Sequence, residues 1–187
     1  MGLAHTILVD ELSRAFATVR WVLEGIDDSD CYWEPATPSW SVRTRKDAGP
    51  GWGTGDWVCE DEWPQPDPLP ITTIAWRLAH LSAWTDVYHD WTFTEDRPTL
   101  AGFEVPEGRD GLVAWLCAAQ DRFAETVADL DEPQLTALRP VHWGPDFPVH
   151  QLISVITTEH VHHGAEIALL GDLRRGRARI QPPPTTA

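Results

Sequence analysis

Long apolar runs and basic residues are both scarce in this 187-residue chain. No run approaches the about 20 apolar residues that a membrane-spanning helix needs, so we expect no transmembrane segment. Lysine and arginine number 14 against 29 aspartates and glutamates, which gives a formal net charge of −15. So acidic a chain cannot neutralise phosphates and is repelled by anionic lipid. The charge therefore argues against nucleic acid and membrane surfaces as partners.

Cysteine is scarce too, and its pattern does not suit a disulfide framework. Cys31, Cys59 and Cys117 are odd in number, far apart and without a CxxC pair. The amino-terminal segment MGLAHTILVDELSRAF contains acidic residues and lacks the long apolar core of a signal peptide. Both observations favour a reducing compartment, and we expect a cytoplasmic protein.

Helical periodicity and tryptophan are what the sequence has in abundance. Apolar residues recur at three- and four-residue intervals in four segments, which predicts helices over residues 6–25, 71–92, 110–130 and 148–174. The length predicts one domain over residues 1–180, followed by a disordered tail at 181–187. We therefore predict an all-α fold, a four-helix bundle.

A long irregular stretch connects the first two predicted helices. This crossover, residues 27–70, is crowded with Pro, Gly and Trp, and only its WVCE segment suggests a short extended piece. Five of the chain's eleven tryptophans lie in it. Because disordered segments are poor in aromatic residues, we expect much of the crossover to pack down.

The segment TTEHVHHGAEI, residues 157–167, places three histidines and two glutamates on the last predicted helix. Successive residues on an α-helix are about 100° apart, so each side chain has a predicted direction relative to the apolar face. Glu159 and His163 lie about 20° on either side of the centre of that face, and Glu166 lies about 40° from it. His160 and His162 lie about 80° away on opposite sides, so we expect neither in a shared site.

Glu159 and His163 are one helical turn apart and can bind one cation from a single helix face. A buried Glu–His ion pair, or a water-filled cleft without metal, is the alternative. A third ligand is available on the second predicted helix, where His80 lies in a stripe with Trp76 and Trp84. A lone histidine on an apolar face is more often a core residue, but here two inward polar groups need a partner. This donor set suits zinc, with nickel or iron also compatible, and three protein ligands leave coordination positions open.

Three segments, YWEPATPSWSVR, TTIAWRLAHL and EHVHHGAEIALLGDLRR, carry a resemblance that covers most of the chain. They resemble the DinB-like, YfiT-type helical bundles, a family that includes mycothiol-dependent maleylpyruvate isomerase. The resemblance implies a four-helix bundle that holds a divalent metal with one ligand from the second helix and two from the fourth. The isomerase branch uses His, Glu and His, which matches His80, Glu159 and His163.

The resemblance also implies chemistry with a low-molecular-weight thiol, because known activities of the superfamily are thiol-dependent isomerisation and thiol S-transfer. An open metal position would bind the thiol sulfur and favour its thiolate near neutral pH. We therefore expect a metal-dependent transferase or isomerase with a small-molecule substrate. A non-catalytic metal- or ligand-binding bundle is the alternative. Family likeness further implies a homodimer formed through helix faces.

Four other residues are candidates for the site. Glu166 is expected to orient a ligand histidine or to act as a catalytic proton acceptor, and a plain ion pair with a neighbouring histidine is the alternative. Arg77 could hold a substrate carboxylate, although an arginine extending to the surface explains it as well. Trp84 and Trp40 are candidate substrate-binding residues that would wall the pocket, against the default of core packing.

The crossover tryptophans Trp40, Trp52, Trp57 and Trp63 are bulky enough to cover a mid-helix cleft. We predict that part of the crossover forms a wall or lid of the metal pocket and excludes bulk water from it. The alternative is a crossover packed on the outer surface of the bundle.

Overall fold

The chain is mostly helical. The computed structural model describes the backbone of residues 2–180 and the side chains of residues 2–176, so the predicted tail at 181–187 lies outside the described residues. Within that part of the chain there are six α-helices and one short 3-10 turn. They are α1 (Leu3–Leu23), α2 (Asp28–Cys31), α3 (Ile74–Phe93), α4 (Gly108–Ala128), α5 (Glu132–Thr136), α6 (Val149–Ile180) and the 3-10 turn Leu100–Gly102.

The four long helices correspond to the four predicted ones, and each contacts two others. Helix α1 packs against α6 and α4, while α3 packs against α4 and α6. Thr73 caps α3, because its hydroxyl accepts a hydrogen bond from the backbone N–H of Trp76 at 3.2 Å. Large apolar side chains are fully buried between these helices, among them Leu12, Leu78, Leu112, Phe123 and Ile156.

The described residues also form seven short strands, so the all-α prediction is wrong in one respect. The strands are β1 (Ser39–Trp40), β2 (Val42–Thr44), β3 (Gly51–Trp52), β4 (Trp57–Glu60), β5 (Ile71–Thr72), β6 (Leu138–Val141) and β7 (Gly144–Pro148). In the crossover, β2, β4 and β3 form an antiparallel sheet in that order, and β1 runs parallel to β5, which directly follows the crossover. Strands β6 and β7 form a hairpin just before α6. Strand β4 is the predicted WVCE segment.

The crossover sheet is organised around the carboxylate of Glu60, which is only 7% exposed. It accepts hydrogen bonds from the backbone of Ser41 at 2.9 Å, the backbone of Gly49 at 3.0 Å and Nε of Arg43 at 2.9 Å. A buried carboxylate is tolerated only when it is paired and hydrogen-bonded, as it is here. Close strand pairing also requires Gly51, since a Cβ there would lie 2.3 Å from the carbonyl oxygen of Cys59. The crossover thus packs down, as its tryptophan content predicted.

Helices α1, α3, α4 and α6 are each at least 20 residues long. Among the described residues, none of the helices is apolar enough over sufficient length to cross a membrane.

Candidate metal centre

His80 of α3 and Glu159 and His163 of α6 come together where the two helices pack. One ligand-type atom from each residue lies within 4.8 Å of the others. His163 Nε2 is 3.4 Å from a Glu159 carboxylate oxygen, and the His80 and His163 rings are 4.9 Å apart between centroids. The three residues singled out in the sequence are therefore neighbours in the structure, and the group has the composition of a metal site.

The predicted direction of the buried face of α6 needs correction. The buried residues are centred about 60° from the predicted centre, on the side of His160. His160 is itself fully buried, whereas the side chain of Glu159 is 39% exposed and that of His163 is 11% exposed. Glu159 and His163 thus lie at the edge of the buried face and border a cleft. The buried residues of α6, among those whose side chains are described, are Val149, Leu152, Ile153, Ile156, His160, Gly164, Ile167, Leu170 and Gly171.

Glu166 links His163 to Arg77 through one carboxylate oxygen. Its Oε2 accepts hydrogen bonds from His163 Nδ1 at 2.7 Å and from Arg77 Nε at 2.9 Å. Arg77 Nη1 also donates to the backbone carbonyl of Thr72 at 2.7 Å. Burial alone would raise the pKa of Glu166, but the attraction of Arg77 and His163 lowers it overall. An ionised Glu166 fixes the hydrogen of His163 on Nδ1 and leaves the lone pair of Nε2 directed to the site.

His80 is positioned by aromatic contacts. Its ring stacks on Trp76 with a centroid separation of 4.6 Å and an interplanar angle of 19°, and Trp84 meets it edge-on at 6.3 Å. Trp76 is anchored in turn, because its Nε1 donates to the carbonyl oxygen of Glu60 in β4 at 2.6 Å. Burial, followed by electrostatic repulsion between the two neighbouring imidazoles of His80 and His163, lowers the pKa of His80 to about 3. The neutral imidazole that results is the form that ligates metals.

These residues fit a divalent cation. The contact with His163 outweighs burial and lowers the pKa of Glu159, so this carboxylate is ionised at neutral pH. With Nδ1 of His163 occupied by Glu166, two imidazole nitrogens and one carboxylate remain to coordinate an ion. Zinc accepts this donor set, and nickel and iron are compatible with it.

A cavity of about 220 Å³ lies beside the three residues, between α3 and α6. Its walls are mostly apolar or aromatic, and two of the three candidate ligands take part in them. The β6–β7 hairpin packs against the same aromatic wall, since His142 lies 4.4 Å from Trp84 and 5.3 Å from Tyr88 between ring centroids. The lining residues are His80, Leu81, Trp84, Thr85, Tyr88, Ile156, Glu159 and His160.

The other predicted site residues occupy distinct places. Trp84 lines the cavity, as expected of a pocket wall. Trp40 does not line the cavity; its ring stacks on that of Trp76 with a centroid separation of 6.4 Å. Arg77 is buried and engaged with Glu166, rather than extending to the surface. Glu166 has the contacts expected of a group that orients a ligand histidine, and also pairs with His162 at 3.5 Å.

The crossover does not supply a wall of this cavity, whose lining residues come from α3 and α6. Trp52 and Trp57 pack into the core beneath the crossover sheet, and Trp63 is 87% exposed. The lid prediction therefore needs correction. Trp40 of the crossover stacks on Trp76 of α3, and Trp76 stacks on the His80 ring, so the crossover supports His80 without lining the cavity. The ring that packs against Trp84 and Tyr88 of the cavity wall is that of His142, in the β6–β7 hairpin.

Sequence reasoning missed three residues at or near the cavity. Tyr88 is two turns after His80 on the same face of α3, so helical spacing alone could have found it. His160 was assigned to the edge of α6, because histidine was not counted among the residues that define the buried face. His142 precedes α6 in a hairpin, and no periodic signal in the sequence connects it to α3.

Comparison with known proteins gives the family. The model of the DinB superfamily matches residues 56–167, a span that contains His80, Glu159 and His163. No curated protein matches the chain. The crystal structure of a conserved protein from Enterococcus faecalis is similar, with a TM-score of 0.59 and 13% sequence identity over 94% of this chain and 99% of that one. At that identity the likeness concerns the fold alone. The family match covers more than half of the sequence, and the chain belongs to the DinB superfamily.

Proposed function

We propose that this protein binds a divalent metal at His80, Glu159 and His163 and acts as a metal-dependent transferase or isomerase that uses a low-molecular-weight thiol. Zinc suits the donor set best. The finer description of the fold is a four-helix bundle of the DinB/YfiT type, and the protein is cytoplasmic. The observation that carries the proposal is that two of the three candidate ligands, His80 and Glu159, also line the 220 Å³ cavity.

The residues around the candidate ligands have separate tasks in this proposal. When bound, a divalent ion lowers the pKa of a thiol and favours the thiolate near neutral pH. Glu166 holds His163 in the tautomer that leaves Nε2 free. Trp76 fixes the plane of the His80 ring. Trp84 belongs to an apolar wall that limits water beside the ligands, which strengthens electrostatic interactions there.

Metal binding is tested on metal-free protein titrated with zinc. His80→Ala and His163→Ala each remove one candidate ligand, and we expect neither variant to retain stoichiometric zinc at concentrations that saturate the wild type. His162→Ala is the matched control, because His162 directly precedes His163 on α6 but its side chain is 61% exposed. Retention of one equivalent of zinc by both ligand variants would show that the assignment is wrong.

Thiol use is tested with the cobalt-substituted protein and N-acetylcysteine. A thiolate that coordinates cobalt(II) produces a near-ultraviolet charge-transfer band, and we expect this band in the wild type and its loss in His163→Ala. An aryl chloride such as 1-chloro-2,4-dinitrobenzene then reports transfer: a sulfur–carbon bond forms, the carbon–chlorine bond breaks, and chloride and the thiol proton leave. We expect a metal-dependent rate above the uncatalysed reaction.

The alternative is a non-catalytic metal- or small-ligand-binding protein. It is favoured if zinc binds stoichiometrically and the cobalt protein shows no thiolate band with N-acetylcysteine. The proposed small-molecule substrate, and a homodimer formed through helix faces, belong to the same proposal. Analytical sedimentation of the zinc-loaded protein measures whether it forms this homodimer.

A further inference from the structure

The inner wall of the 220 Å³ cavity carries a histidine that the proposed metal centre does not use. His160 is 0% exposed and lines the cavity. Its ring packs against Phe16 of α1 with a centroid separation of 4.5 Å. Its Nδ1 lies 2.9 Å from the carbonyl oxygen of Ile156, one turn earlier on α6. The side chain is therefore held in one orientation by its own helix and by α1.

This contact fixes which nitrogen of His160 carries the hydrogen. A backbone carbonyl oxygen only accepts hydrogen bonds, so Nδ1 must be the donor. In the neutral ring, Nε2 then presents a lone pair and acts only as an acceptor. Nε2 is buried and makes no hydrogen bond to another described residue. A buried acceptor without a partner costs free energy, and natural proteins leave few of them.

The remaining walls define the kind of molecule that would fit. Leu81, Trp84, Tyr88 and Ile156 supply apolar and aromatic surface. The charged group in the lining is the carboxylate of Glu159, and the lining contains neither lysine nor arginine. In the metal-free protein, an anion would meet this carboxylate and the lone pair of Nε2 without a compensating cation. At about 30 Å³ for each water molecule, the volume corresponds to a small single-ring compound rather than a large ligand.

We propose that this cavity binds the apolar part of a substrate that bears a hydroxyl or amide N–H, and that this group donates a hydrogen bond to Nε2 of His160. The inference rests on the proposed function, because that function makes the cavity beside His80 and Glu159 a substrate site. It adds the substrate class: a partly apolar molecule whose part beside His160 is uncharged and carries one hydrogen-bond donor. His160 selects the substrate through the donor, while Trp84 and Tyr88 bind its apolar body.

The test compares phenol and toluene, which have nearly the same shape and differ by the donor. Their dissociation constants are measured by ligand-detected NMR with the wild type, His160→Phe and His162→Phe. Phenylalanine keeps an aromatic ring next to Phe16 but removes the acceptor. We expect the ratio of the two dissociation constants to shift by about fivefold towards toluene in His160→Phe, and to stay at the wild-type value in the His162→Phe control. Benzoate should bind the metal-free wild type more weakly than phenol.

A second measurement needs no variant. In wild-type protein labelled with ¹⁵N-histidine, we expect phenol to move the Nε2 resonance of His160 while toluene leaves it in place. An unchanged ratio in a folded His160→Phe variant, or an Nε2 resonance that does not respond to phenol, would overturn the proposal.

Both measurements are made on metal-free and on zinc-loaded protein. Phenol recognition in the metal-free protein supports the His160 assignment even if zinc does not bind, so failure of the metal proposal is distinguished from failure of this one. Tight zinc binding with equal affinity ratios in all three proteins rejects the role of His160 and leaves the metal centre standing.

Discussion

Replacing Glu166 by glutamine tests whether this residue supports the metal centre or is only an ion-pair partner. Glu166 Oε2 accepts hydrogen bonds from both His163 and Arg77. Glutamine has nearly the same shape but no charge, so it weakens the restraint on His163 without removing a ligand. Loss of such a partner typically reduces metal affinity by about 10- to 100-fold, and we expect zinc affinity to fall within that range.

The same substitution has a separate effect on the stability of the metal-free protein. Breaking a fully buried ion pair costs about 3–5 kcal/mol. The side chain of Glu166 is 31% exposed, although that of Arg77 is only 9% exposed. Solvent screening, and the hydrogen bond that glutamine can still accept, reduce the expected cost to roughly 1–2 kcal/mol. For a chain of this size, that lowers Tm by roughly 3–6 °C.

Zinc affinity is measured by competition with a chromophoric chelator, and Tm by calorimetry in the presence of a strong chelator. His162→Ala is the control, because it removes the other histidine near Glu166, at 3.5 Å, from an exposed position. We expect both quantities to remain close to wild type in the control. If Glu166→Gln lowers Tm but leaves zinc affinity unchanged, the residue stabilises the helix pair and does not tune the site.

Two further predictions concern reactivity and the core. Burial raises the pKa of Cys31 to about 12 and that of Cys59 well above its ordinary value, so neither forms the reactive thiolate at about pH 8. In the native protein, iodoacetamide should therefore label only Cys117, which is partly exposed, and the other two cysteines should react only after denaturation. Mass spectrometry measures the labelling of each cysteine, and labelling of Cys59 in the native protein would contradict the prediction. Phe123→Ala, at a 0% exposed position, should cost about 3–5 kcal/mol by chemical denaturation. Trp21→Ala, at a 70% exposed position, should change stability by less than about 0.5 kcal/mol, and equal effects would refute the described core.

The long helices were predictable because their apolar periodicity persists over five or more turns in α1, α3, α4 and α6. The strands were not, apart from β4, because most of them span only two to four residues. A strand this short cannot display an alternating pattern. The crossover sheet is held together by contacts distant in sequence, such as the hydrogen bonds of Glu60 to Ser41 and Arg43. Periodicity carries no information about such pairings.

The three candidate ligands were predictable from two local patterns, a Glu-x-x-x-His pair on α6 and a histidine in an aromatic stripe on α3. The orientation of α6 was predicted about 60° from its true direction, yet the choice of residues survived. His163 lies between the predicted and the observed centres of the buried face, and Glu159 lies about 80° from the observed centre, at the edge that faces α3. The burial of His160 was missed because histidine was not counted among the residues that define the buried face, and its contact with Phe16 joins helices more than a hundred residues apart in sequence.

The stack formed by Trp76 and His80 has a consequence for the entropy of metal binding. Immobilising a flexible side chain on binding costs about 0.5–1.5 kcal/mol. The His80 ring is already held flat on Trp76, whose Nε1 is tied to the carbonyl oxygen of Glu60 in β4. The ring is therefore ordered when the protein folds, and an arriving cation does not have to order it. Through this contact the crossover contributes to the affinity of the proposed metal site while supplying no ligand atom, and a substitution of Trp76 that removes its Nε1 donor should weaken binding by restoring rotamer freedom to His80.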